Sequence, residues 1–109
     1  MTLNEYQEQA QSTAIYPKEH SKGLLYAVLK LNGEAGEVAE LLGKALRDDG
    51  GSISGKFDDF VKELGDVLWY VAAVAENLGI DLEYVAQQNI EKLQSRYQRG
   101  VIKGSGNNR

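Results

Sequence analysis

The chain has no cysteine among its 109 residues. That excludes disulfide staples, zinc–thiolate sites and thiol nucleophiles, and it suits a reducing cytosol. There is a single proline, Pro17, and a single histidine, His20. No run approaches the ~18 consecutive apolar residues of a membrane span. The N-terminal segment lacks the charged start and long apolar core of a signal peptide. Cations are in deficit: the formal net charge is −4, which removes the global basic footprint of a protein that binds nucleic-acid polymers. The expectation is a soluble cytoplasmic protein with neither a membrane nor a polymer partner. An acidic protein that handles phosphates needs a metal or a local basic cluster to reverse its field.

What is present is helical. Apolar residues recur every three or four positions rather than alternating. Thr2 and Glu5 have the form of a capping box, which predicts a first helix over about Leu3 to Ala14, ended by Tyr16-Pro17. A second helix is predicted from Lys22 to Arg47. The Asp/Gly/Ser-rich segment 48–55 reads as a loop. The third helix, Phe57 to Leu78, carries one wide apolar stripe that includes Phe57, Val61, Leu64, Leu68 and Val71. Gly79 is placed to end it and Asp81 to cap a fourth helix, Leu82 to Gln98. The expectation is an all-α bundle of about four helices in residues 1–100, followed by a flexible tail or lid at 101–109. Wide apolar stripes on so short a chain further predict completion by homo-oligomerisation.

Two helices each carry acids at i, i+3: Glu34 with Glu37, and Glu63 with Asp66. That spacing sets two carboxylates on one face. Packed antiparallel, the two helices offer four carboxylates to one space, a donor set for a hard cation such as magnesium. Such pairs are also common on solvated helix faces. Here, however, they sit among core-type residues, where like charges cost stability unless a cation neutralises them. Gly33, Gly36 and Gly65 lie beside them, each costing about 1 kcal/mol in a helix relative to alanine. Close approach of another backbone or a ligand explains glycine at such positions. Rival sites fail on residue type: one histidine cannot supply the two Glu-x-x-His motifs of a di-iron bundle. The 48–52 loop lacks the EF-hand acids, and no phosphate loop is present.

The segments Gly33-Glu34-Ala35-Gly36-Glu37 and Lys62-Glu63-Leu64-Gly65-Asp66, followed by Asn89, Lys92, Leu93, Arg96 and Tyr97, together resemble the MazG-like all-alpha nucleoside triphosphate pyrophosphohydrolases. The resemblance runs from about Leu24 to Gly100. It implies that Glu34, Glu37, Glu63 and Asp66 bind Mg2+, with Mn2+ as a substitute. It also implies cleavage between the α and β phosphates of a nucleoside triphosphate, giving a monophosphate and pyrophosphate. Lys92 and Arg96 would contact phosphate, Asn89 the sugar or phosphate region, and the assembly would be a homodimer or a dimer of dimers. Lys62 stands where members often carry a further acid. Lys103 or Arg109 would have to replace the C-terminal basic contacts of longer members.

Chemically, one carboxylate takes the proton of the attacking water; Glu37 and Glu34 are both candidates. Tyr6, Tyr16, Tyr26, Trp69 and Tyr70 are candidates to stack on a base, although core packing is the ordinary role of aromatics at such spacing. A dUTP- or alarmone-specific hydrolase stays open within the class. So does, outside it, a non-catalytic helical interaction module.

Overall fold

The computed structural model describes residues 1–109. It is all-helical: α1 (Leu3–Gln11), a short 3-10 turn (Glu19–Ser21), α2 (Lys22–Asp48), α3 (Phe57–Asn77) and α4 (Leu82–Gln98). No helix is long and apolar enough to cross a membrane. The long helices α2 and α3 form an antiparallel hairpin, and α1 lies against α3 and α4.

The helix ends follow local chemistry. Thr2 and Glu5 form the reciprocal capping box, with the Glu5 N–H donating to Thr2 Oγ1 at 3.0 Å. α1 stops at Gln11 rather than Ala14. Beyond it, the Ser12 and Thr13 hydroxyls donate to the Gln9 and Ala10 carbonyls, and such local bonds compete with helix continuation. α3 ends in a Schellman turn at Gly79 (φ +71), whose N–H reaches Glu76 O while the Ile80 N–H reaches Ala75 O, each at 3.0 Å.

Asp81 occupies the N-cap position of α4, but its side chain makes no capping bond. Two amides of α1 do that work instead. Gln7 Oε1 accepts from the Leu82 N–H at 2.7 Å, and Asn4 Oδ1 accepts from the Glu83 N–H at 3.2 Å. Gln7, only 5% exposed, also donates to Glu76 Oε2 and Ile80 O, both at 3.0 Å. One buried amide therefore ties α1 to the α3–α4 corner.

The core is thin. Its buried members are chiefly alanines (Ala27, Ala45, Ala72, Ala73 and Ala75), and no large side chain is completely buried. Small residues let α2 and α3 approach closely. At Gly23 a side chain would run into the Asn77 amide, which bridges Tyr16 Oη and Ala73 O at 2.9 and 2.8 Å. The predicted single stripe of α3 splits in two. Ala72 and Ala75 face inward, whereas Phe57, Val61, Leu64 and Leu68 form an exposed row at i, i+4, i+7 and i+11. Full burial of such a side chain is worth about 1.5–3 kcal/mol, and each of the four forgoes part of it. The radius of gyration, 16.8 Å, exceeds the roughly 13 Å of a compact domain of this length.

Candidate metal centre

α2 and α3 run antiparallel about their connecting loop, so the middle of one helix faces the middle of the other. Glu34 on α2 and Glu63 and Asp66 on α3 come together there. One carboxylate oxygen from each lies within 4.8 Å of the others. Glu34 and Glu63 are half-buried, and Asp66 is exposed. Glu37, one turn further along α2, is exposed and stands outside this close group. Its charge nonetheless reaches Glu63. Burial first, then Glu37, Asp66, Glu34 and Asp59, push the Glu63 carboxyl above its usual range. The four predicted acids thus share one electrostatic neighbourhood, three of them in near contact.

No lysine or arginine pairs with any of the four, and their carboxylates accept no hydrogen bond from elsewhere in the chain. Like charges gathered on one face without a counter-charge are costly. The donors are oxygens only, which fits magnesium or manganese and not a soft metal. Gly33, Gly36 and Gly65 have nothing within 4 Å of the space a Cβ would fill. Packing within one chain therefore does not account for them.

An aromatic cluster adjoins the acids. Tyr16 stacks on Tyr26 with centroids 4.9 Å apart, and Trp69 meets Tyr70 edge-on at 4.8 Å. Trp69 Nε1 donates to Thr13 Oγ1 at 3.2 Å. Tyr70 is pushed up to about 12 by burial and by Tyr26, with Glu34 and Asp66 adding to the rise. Tyr6 of α1 is raised as well, by burial and then by Asp66. The cluster and α1 thus lie within electrostatic reach of the acidic centre.

The remaining predicted residues lie elsewhere on the chain. Asn89 and Lys92 line a cavity of about 440 Å³ with Ile80, Tyr84, Val85 and Gln88, and none of the four acids borders it. Arg96 is buried beneath residues 106 and 107. Sequence reasoning missed Asp59, Thr13 and the α1 amides. Asp59 carried a readable signal, lying four residues before Glu63 and so on its face of the helix. Thr13 and Gln7 carried none, because their partners are 56 and 75 residues away.

Four helices, a carboxylate triad on a central helix pair and an adjoining aromatic cluster define an all-α protein with a candidate cation site. A family model for the MazG nucleotide pyrophosphohydrolase domain matches residues 23–101, a span that holds all seven predicted site residues. The chain belongs to the MazG family. Gene 37 protein of Mycobacterium phage L5 is 49% identical over 114 residues, and the match spans the whole of both chains. That relative's name states no activity. No solved structure matches the chain.

Proposed function

We propose that the chain is a magnesium-dependent hydrolase that converts (deoxy)nucleoside triphosphates to the monophosphate and pyrophosphate, cleaning or adjusting the nucleotide pool. The observation that carries this reading is the unpaired triad of Glu34, Glu63 and Asp66, with Glu37 beside it, in a member of the MazG family. When bound, the cation supplies charge neutralisation between carboxylates and phosphate oxygens and polarises the reacting phosphate. Glu34, Glu63 and Asp66, with Glu37 beside them, would hold it. Glu37, exposed at the edge of this group, or Glu34 would take the proton of the water that attacks the α-phosphorus. The bond from that phosphorus to the bridging oxygen breaks, and pyrophosphate leaves. Lys92 and Arg96, at i, i+4 on α4 and away from the acids of the same chain, would hold the phosphate chain, with Asn89 one turn earlier toward the sugar. The Tyr16, Tyr26, Trp69 and Tyr70 rings offer faces for the base.

The working unit in this reading is a homodimer or a dimer of dimers. The exposed row Phe57, Val61, Leu64 and Leu68 and the thin alanine core leave a single copy short of buried apolar surface. The open space at Gly36 and Gly65 suits an approaching ligand or second copy.

The test is product identity. A panel of nucleoside triphosphates that includes dUTP, together with a guanosine alarmone, is incubated with the chain and either magnesium or manganese. The reading expects equimolar monophosphate and pyrophosphate from at least one nucleotide. Orthophosphate as the first product would mean another bond is cut. No product from any of them would leave a non-catalytic helical interaction module.

A further inference from the structure

Charge along the chain is polarised. From Lys92 onward stand Lys92, Arg96, Arg99, Lys103 and Arg109, five of the twelve cations, and none of the sixteen acids. α4 closes on a Schellman turn at Gly100 (φ +71), where the Gly100 N–H reaches Tyr97 O at 3.2 Å and the Val101 N–H reaches Arg96 O at 2.9 Å. That turn folds residues 101–109 back onto the last turns of the helix.

Cations hold the returning segment, and little apolar surface does. Arg109 donates to the Val101 and Ile102 carbonyls at 3.1 and 3.2 Å and to Gly106 O. Arg99 Nη2 donates to the Arg109 main-chain oxygen at 2.7 Å. Residues 102–108 are exposed. Beneath them Arg96 is only 5% exposed, yet its acceptors are neutral: Asn107 O at 3.1 Å, with Asn107 Oδ1 and Gly106 O both at 3.4 Å. Its Nε is buried without a partner. No Asp or Glu lies in salt-bridge range of Arg96, Arg99 or Arg109.

A buried guanidinium with one orphan donor and long bonds to neutral oxygens is under-satisfied. Burial, with Arg109 and Arg99 adding repulsion, disfavours its charge. Phosphate oxygens make shorter hydrogen bonds to arginine, about twice as strong as neutral ones, and they neutralise the neighbouring guanidiniums as well.

We propose that the segment 101–109 is a built-in competitor for Arg96, a strap whose carbonyl oxygens occupy the guanidinium until an anionic phosphate chain displaces them. The proposal rests on Arg96 being a phosphate-binding residue of the enzyme described above. It makes affinity for phosphate depend on the stability of the strap: the binding-competent state is the one in which the strap is released, and the apparent affinity is lowered by its population.

The experiment uses the full chain and inorganic tripolyphosphate with magnesium. Backbone amide relaxation reports the order of residues 102–109, and calorimetry reports the dissociation constant. The strap reading expects residues 102–109 to become mobile at saturating tripolyphosphate. It also expects Arg109→Gln, which removes the strap's own donors, to bind about three- to tenfold tighter. Asn107→Gly, which withdraws one acceptor from Arg96, shifts affinity the same way, and circular dichroism confirms that both variants keep their helices. Arg96→Gln loses the gain when combined with Arg109→Gln. A strap that stays ordered while tripolyphosphate is bound overturns the proposal. So does weaker binding by Arg109→Gln, which would make Arg109 a phosphate contact. Pyrophosphate release without any tripolyphosphate binding overturns the strap and leaves the enzyme reading standing. Absence of both binding and release overturns both.

Discussion

Glu34 on α2 and Glu63 on α3 bring carboxylate oxygens within 4.8 Å of each other, with no lysine or arginine between them. Burial and the neighbouring acids raise Glu63's pKa in the folded chain, so just above its ordinary value the folded chain binds protons more readily than the unfolded chain. The sign follows from linkage: the cation-free fold loses stability as pH rises from about 4.5 toward the raised value. Thermal melts without divalent cation should therefore fall in midpoint across that interval. Glu63→Gln should flatten the fall and raise the cation-free midpoint at neutral pH. A midpoint rising over the same interval in the wild type would contradict the shared-charge account.

Glu37 lies outside the group of closest oxygens and is exposed, although its charge reaches Glu63. As general base it should be worth about 10²–10⁴-fold in turnover. Glu37→Gln should therefore lower kcat by that factor while KM for the magnesium nucleotide changes little. An unchanged kcat would remove Glu37 from the proton transfer.

Gln7 satisfies the Leu82 N–H, Ile80 O and Glu76 from one buried position. Gln7→Leu leaves buried backbone groups without partners, at about 1–3 kcal/mol. Denaturant unfolding should show a loss of that size with the slope unchanged. A neutral result would mean that water or Asp81 replaces the amide.

The row Phe57, Val61, Leu64 and Leu68 is exposed on one chain, Phe57 to 78%. Sedimentation should find the wild type as a dimer or tetramer, and Val61→Glu should shift it toward monomer. A helical, stable wild-type monomer would contradict the oligomer.

Gly36 and Gly65 offer a parallel test. Each Gly→Ala change should stabilise an isolated helix by roughly 1 kcal/mol, because nothing in the chain opposes a methyl group there. If ligand or a second copy enters that space, activity or assembly falls despite the gain. Full activity in both alanine variants would leave the glycines without a functional reason.

Much of this was legible in the residues because helices write themselves locally. The 3.6-residue period marked α2, α3 and α4 nearly to their ends, and i, i+3 spacing put the acids on facing sides of a hairpin. What escaped depends on distance along the chain. Whether Glu37 joins the triad is set by the registry of α2 against α3, two helices whose fully buried residues include Ala27 and Ala72. Asn4 and Gln7 replace Asp81 at the start of α4 because α1 docks there, and no local pattern announces a cap supplied from another helix. The hold of Arg96, Arg99 and Arg109 on the final turn uses charge-to-carbonyl bonds, which leave no periodic trace.

The most direct test of the central claim is cation binding by the acids themselves. Manganese can be followed by electron paramagnetic resonance, in which the free hexaaqua ion gives a sharp signal. The account predicts that the wild-type chain quenches that signal, that magnesium competes it back, and that Glu63→Gln and Asp66→Asn abolish the quenching while retaining their helices. Manganese left free by the folded wild type, or bound equally by both variants, would contradict it.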